Sequence, residues 1–276
     1  MSSSISSNFN LNLNLSSSIK NNTLNEDFEF YVINLDRSQQ RWQRIDAHLQ
    51  SLGVVAQRIS AVDAAQCDSA FLSKHYNKAL NKEAFFIDLK AAEIGCFLSH
   101  RKALTAFLTD STKNYAVILE DDVEFVANPS QFCDQWRTVL KGNAPVMLKL
   151  FKRRGISGEL VNQSEHTGII RPRLVPLGTQ AQVVNRSAAQ ALLTAFEQFS
   201  MPVDVAYQHW WQHGVSLLVT LPNQINEISQ IVGGTNIGGS AGLSFGFKAQ
   251  REIGRSWFRL KLQVLSYWHY FKTRII

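Results

Sequence analysis

Three consecutive carboxylates, Glu120, Asp121 and Asp122, follow the mostly apolar run Tyr115-Ala116-Val117-Ile118-Leu119. Like charges this close oppose one another's ionisation unless water or a cation screens them. In an extended chain alternate side chains share a face, so Glu120 and Asp122 point together. Oxygen ligands of this kind suit Mg2+ and Mn2+, which commonly join carboxylates to substrate phosphates. The carboxyl end of a buried strand is also where open α/β sheets bind ligands. A solvated turn would satisfy the same three residues, and the cluster alone leaves both readings open.

Other reactive side chains are spread along the chain. Asp204 follows Pro202-Val203 in the first turn of a predicted helix, where a carboxylate suits the helix dipole as a cap. His100 lies between apolar positions of another helix, a place for a packing histidine or for a proton carrier. His209 and His213 are four apart, but His-Trp-Trp-Gln-His lacks the glutamate of the zinc-protease pattern, which disfavours a metalloprotease. Arg37 and Arg41 follow the first predicted strand, and Lys152-Arg153-Arg154 follow a later one. Each group reads as solvated charge or as the partner of a diphosphate.

The elements that must position these groups follow from hydrophobic period. Phe28 to Ile33 is rich in aromatic and β-branched residues and predicts the first strand. Asn34 to Ser38 forms a loop in which Ser38 or Asp36 caps the next helix. Trp42, Ile45, Leu49 and Leu52 make one helical stripe that Gly53 ends, and Val54 to Ile59 is the second strand. The opening is therefore βαβ, the unit of parallel sheets. A helix over 91–108 leads into the acidic strand. Strands are predicted at Val146–Leu150, Thr179–Val184 and Val215–Leu221, with a helix capped by Ser187 and another running from Pro202 to Gly214.

At 276 residues the chain has room for one large α/β domain with a full core. Three cysteines without CxxC spacing argue against a disulfide framework or zinc ribbon and fit a reducing compartment. No apolar run reaches transmembrane length, and the start of the chain lacks the basic-then-apolar order of a secretion signal. Residues 1–27, rich in Ser and Asn, read as a disordered lead-in, and the glycines between 233 and 247 as a loop or linker. Of the net charge of +6, residues 248–276 carry all: seven Lys/Arg less one Glu leave +6 there and zero before it. In that tail Ile253, Trp257, Leu260, Val264, Trp268, Phe271 and Ile275 recur at helical steps among basic residues. A basic amphipathic helix with tryptophan on its apolar side is the pattern of an interfacial membrane binder, though docking on the body would use the same stripe. A neutral body with one charged helix fits a lipid surface better than a nucleic-acid groove.

Several of these blocks, taken in order, resemble glycosyltransferase family 25. They are Val32 to Ser38 with Arg41, Arg58 to Asp63, Glu93 to His100, Ala116 to Asp122, Gly178 to Ala181, and Pro202 to Asp204. Together they cover about residues 28–231. The resemblance implies a GT-A-like, Rossmann-type nucleotide-sugar-binding fold over 28–232, with a mainly parallel central sheet and an added C-terminal amphipathic helix. It implies an inverting transfer of a hexose, most often galactose from UDP-galactose, and a divalent cofactor, Mn2+ or Mg2+. The matching positions imply donor binding by Asn34, Leu35, Asp36, Arg37, Arg41, Arg58, Asp63, Glu93, Ser99, Glu120, Asp121 and Gln180. The metal falls to Asp122 and Glu120, with Glu standing where a D-x-D pattern has its first Asp. Asp204 is the implied general base, with His100 and His209 in reserve.

The expected protein is a sugar transferase acting on a lipid-linked saccharide, lipooligosaccharide or lipopolysaccharide. It would work in the cytoplasm, peripherally on the inner face of a bacterial inner membrane, held to the anionic surface by residues 248–276. An aspartyl phosphatase is disfavoured because D-x-D-x-[TV] would need Asp at Glu120 and Thr or Val at Glu124. The alternatives are a non-catalytic nucleotide-sugar- or lipid-binding member of the same fold, or a transferase using UDP-glucose or UDP-N-acetylhexosamine.

Overall fold

A computed structural model describes residues 24–165, 167–230 and 245–273. The centre is an eight-stranded sheet in the order β2-β1-β3-β8-β5-β9-β7-β6. Its strands are β1 (Phe28–Asn34), β2 (Ala56–Ser60), β3 (Tyr115–Glu120), β5 (Val146–Lys149), β6 (Gly158–Gln163), β7 (Gly168–Pro172), β8 (Ala181–Asn185) and β9 (Ser216–Leu221). Six strands point one way, and β8 and β7 run against them. The expected α/β class and mainly parallel sheet are therefore present, with two reversed strands. A separate two-stranded ladder pairs β4 (Val123–Phe125) with β10 (Ile225–Glu227).

Strand parity builds the layers. In β1, Tyr31 and Ile33 enter one apolar core while Phe28, Phe30 and Val32 enter the other. In β3, Ala116 and Ile118 join the first core, and Val117 and Leu119 the second. The first core is covered by α4 (Ala91–Asp110), α6 (Arg186–Ala195) and α7 (Val203–Gln208); the second is covered by α1 (Gln39–Ser51) and α5 (Cys133–Leu140). Short helices α2 (Ser69–His75), α3 (Lys78–Ala84) and α8 (Trp210–His213) complete the body. Gly95 lets α4 approach the loop after β2, since a Cβ there would stand 2.4 Å from the Val62 carbonyl oxygen.

Several local expectations are corrected. Order begins before Phe28: Leu24 is fully buried in the second core, and Asp27 accepts a 2.5 Å hydrogen bond from Arg137. The rest of the expected lead-in, residues 1–23, lies outside the described residues, as do 233–244 of the glycine-rich segment and Ile275 of the tail stripe, while Phe245 already belongs to the last helix. Neither Ser38 nor Asp36 caps α1 through its side chain. Asn185, not Ser187, caps α6, its Oδ1 accepting from the Ala188 amide. The helix expected from Pro202 to Gly214 is broken at His209 into α7 and α8, and Gly214 closes it in the left-handed region at φ 70°.

The C-terminal helix α9 (Phe245–Lys272) is present, but its docking face is not the stripe read from the sequence. Leu262, Ser266 and Tyr270 are buried on the body, Phe258 meets Phe85 and Phe86, and His269 stacks on Trp211 at 5.0 Å. Ile253, Trp257, Leu260, Val264, Trp268 and Phe271 face away, all about half exposed or more. Two apolar faces on one helix explain why periodicity alone left its partner open. Among the described residues no helix is long and apolar enough to cross a membrane.

Candidate active site

Parity also distributes the acidic cluster. Glu120 continues the Ala116–Ile118 face toward α4, and Asp121 turns to the α1 side. Asp121 accepts hydrogen bonds from Asn34 (2.6 Å) and Arg41 (2.9 Å). Asn34 in turn accepts two from Arg58. Asp121 is thus committed to holding the loop after β1. Glu120 Oε1 accepts from Thr179 at 2.5 Å and faces His100 Nε2 at 3.3 Å. These bonds outweigh the effect of burial and hold its carboxyl below the usual range.

Asp122 differs from both. It is buried, and its Oδ1 has no hydrogen-bond partner among the described residues. Burial, then the charges of Glu120 and Asp121, push its carboxyl up to about 7. Its backbone carbonyl accepts from the Ile228 amide, so the β4–β10 ladder fixes its position. A buried carboxylate oxygen without a donor, beside a second carboxylate on the same face, fits a hard cation. Cys96, His100 and Glu120 also present sulfur, nitrogen and oxygen within 4.8 Å of one another, a donor set suited to Zn2+ rather than Mn2+.

These groups line a cavity of about 440 Å³ at the carboxyl ends of β1, β3 and β5. Of the residues expected to act, Leu35, Arg37, Arg41, Asp63, Glu93, Ser99, His100, Glu120, Asp121, Asp122, Gln180 and Asp204 reach its wall. Asn34, Asp36 and Arg58 do not line it; they form the supporting network behind the β1 loop. Arg37 pairs with Asp63 across the mouth. Ser99 is tied at both ends, accepting from the Val62 amide and donating to the Gly95 carbonyl, so it shapes the wall rather than offering a free hydroxyl. Glu93 accepts from the Lys90 amide at the start of α4. His100 is fully buried, its Nδ1 accepting from Gln182 at 3.0 Å, which leaves Nε2–H to face Glu120. It orients Glu120. His209 lies outside the cavity wall, against Phe258 of α9.

Asp204 lines the same cavity. Its Oδ2 accepts from the Gly178 amide at 3.1 Å and its Oδ1 from the Val205 amide at 2.8 Å. Gly178 sits at φ 97°, a conformation that side chains rarely take. Beneath it lies Lys149, the last residue of β5 and fully buried, donating at 2.6 Å to both the Pro176 and Gly178 carbonyls. Burial pushes its ammonium down to about 8 from an ordinary 10.5. The unfolded chain keeps this proton up to about 10.5 and the folded chain only to about 8, so between those values unfolding takes up a proton and stability rises with pH. Urea unfolding from pH 7 to 10 should show wild type gaining up to ~3 kcal/mol relative to Lys149→Met. Parallel curves for the two proteins would show that the folded chain holds this proton as tightly as the unfolded one.

Lys149, Glu227 and Thr179 were not anticipated as site residues, whereas Arg153 belongs to the basic run read as solvated charge or a diphosphate partner and does reach the cavity wall. Arg153 pairs bidentately with Glu227 at the rim. Thr179 carried a sequence signal as the neighbour of Gln180, while Lys149 and Glu227 carried none.

An open α/β sheet gathers a carboxylate cluster and a further aspartate around one cavity at its strand ends, the layout of a ligand-binding site. The family model "Glycosyltransferase family 25 (LPS biosynthesis protein)" matches residues 28–207, and the chain belongs to that family. It is a glycosyltransferase-family protein, with a sugar donor and a saccharide acceptor as its implied substrates. No curated protein matches the chain. Among solved structures, A197 from STIV aligns with 13% identity over 70% of this chain and 81% of its own, at a TM-score of 0.36. A glycosyltransferase involved in the glycosylation of the major capsid of PBCV-1 aligns with 7% identity over 62% and 65%, at 0.32. TM-scores this low add nothing to the family assignment.

Proposed function

We propose that the protein is an inverting, metal-dependent hexosyltransferase that moves a sugar, galactose in the first instance, from a UDP-sugar to a lipid-linked saccharide. The observation that carries this reading is the buried, unpartnered Asp122 Oδ1 in a cavity that Asp204 also lines. Asp122 would hold Mn2+ or Mg2+ with Glu120, and the bound ion would neutralise charge developing on the leaving diphosphate. Arg41 and Arg37 stand at the β1 loop with their charge toward the same cavity. Asp204 takes the proton from the acceptor hydroxyl as its oxygen bonds the anomeric carbon. The bond from that carbon to UDP breaks, and its electron pair leaves with the diphosphate.

Calorimetric titration with UDP-galactose, UDP-glucose and UDP-N-acetylglucosamine, each with Mn2+ and then with EDTA, tests the reading. Binding of one sugar nucleotide that disappears with EDTA is expected. Binding indifferent to EDTA would take the metal from Asp122, and no binding of any of the three would remove the UDP-sugar donor.

The outer stripe of α9 supports a second part of the proposal, contact with an anionic bilayer on the cytoplasmic face. Trp257 and Trp268 are exposed with four aliphatic and aromatic neighbours, and the tail carries the whole of the net charge. Basic residues beside an apolar stripe draw a helix into an anionic interface. Trp257→Glu with Trp268→Glu should lower co-sedimentation with phosphatidylglycerol vesicles by about tenfold or more. Equal sedimentation of the variant and wild type would return the stripe to another role.

A further inference from the structure

We infer that a second cavity, beside the donor pocket, receives an anionic group (a phosphate or carboxylate) carried by the saccharide acceptor; the inference rests on the transferase reading above. This cavity has a volume of about 550 Å³, within the range of small-ligand sites, and lies between the loop after β5, the segment Leu174–Leu177 and helix α9. It meets the donor pocket at Arg153, which lines both.

One strip of chain divides the two spaces. Leu174 to Leu177 line the second cavity, and Gly178 to Gln180 line the first. The strip is anchored from below by Lys149 at Pro176 and Gly178, and by a 2.5 Å hydrogen bond from Gln208 to the Val175 carbonyl. Asp204 grips the strip at the Gly178 amide. A molecule in the second cavity thus needs only to pass this strip to bring a hydroxyl to Asp204 and the donor sugar.

The charge of the second cavity defines its ligand. Arg153 is matched by Glu227, but Arg154 and Arg259 have no ion-pair partner among the described residues. No carboxylate lines the cavity among those residues. Two guanidinium groups in a concave site without a counter-ion select a phosphate or carboxylate, which each can bind through paired donors. Gln263 and Tyr267, also on the wall, offer the amide and ring that suit sugar hydroxyls and sugar faces. Arg259 reaches the cavity from α9, the helix whose opposite face carries the exposed stripe. An acceptor bound here through an acidic sugar would lie against the element proposed to meet the bilayer.

The test titrates the full chain with glucose 6-phosphate and with glucose, in the presence of saturating UDP and Mn2+, for wild type, Arg154→Ala, Arg259→Ala and the double variant. Wild type should bind the phosphorylated sugar at least tenfold more tightly than glucose. Each single variant should weaken that binding about tenfold. UDP affinity should stay within twofold throughout. Equal binding of the two sugars, or sugar-phosphate binding unmoved in the double variant, would overturn the proposal. A double variant that loses UDP instead would overturn it by giving the cavity to the donor. If wild type fails to bind UDP yet binds glucose 6-phosphate in an Arg154- and Arg259-dependent way, the transferase reading falls and the anion site stands.

Discussion

Replacing Asp122 by asparagine is expected to lower sugar transfer about a thousandfold while leaving the fold in place, a loss equal to ~4 kcal/mol of transition-state stabilisation. The size follows from its setting. Glu120 is already hydrogen-bonded by Thr179 and faces His100, and Asp121 is held by Asn34 and Arg41, so Asp122 alone offers a buried oxygen with no donor. Its carboxyl sits at about 7 because its charge is poorly solvated, so an uncharged amide of the same shape relieves the burial rather than adding to it. The melting temperature of Asp122→Asn should therefore equal or exceed that of wild type. Near-normal turnover would remove the metal role, and a marked loss of thermal stability would show that the carboxylate has a structural partner.

Asp204→Asn should lower kcat by about a hundred- to ten-thousandfold, the range of a lost general base, with the KM for the donor nearly unchanged. An asparagine keeps one of these two bonds, its Oδ1 accepting from the Gly178 or the Val205 amide, and the strip is still tied by Lys149 at Pro176 and Gly178 and by Gln208 at Val175. What disappears is the capacity to take the acceptor's proton. A variant that mainly raises the donor KM would reassign Asp204 to donor binding.

The parts of the site that could be read from the sequence are those set by short-range pattern. The apolar run ending in Glu120-Asp121-Asp122 announces a buried strand opening on a ligand site, and strand parity sends Glu120 and Asp121 to opposite faces. The periodicity of 91–108 places Ser99 and His100 on the helix beside that strand. Long-range partnerships left no such trace. Arg153 meets Glu227 from 74 positions away, and Lys149 looks like the polar end of an ordinary strand until the Pro176–Gly178 carbonyls close over it. The reversed strand β8 between β3 and β5 is equally silent, because its alternating residues read the same in either direction. Asn34 and Arg58 carried the family pattern without touching the cavity, since a motif records which residues are needed, including those that hold others in place. Leu24 is the converse case, a single apolar residue in a polar stretch whose burial only tertiary packing reveals.

The strip from Leu174 to Gln180 lines both cavities and so can couple them. A partition common to two binding spaces makes their occupancies energetically linked, and such linkage is reciprocal. If a donor presses on Gly178, the displacement reaches Leu177 on the far side and alters the fit there, and a filled far side alters donor affinity by the same factor. Donor and acceptor would then bind with linked affinities whichever comes first, the coupling carried by a single short segment of backbone that Lys149 ties at two carbonyls rather than by a closing lid.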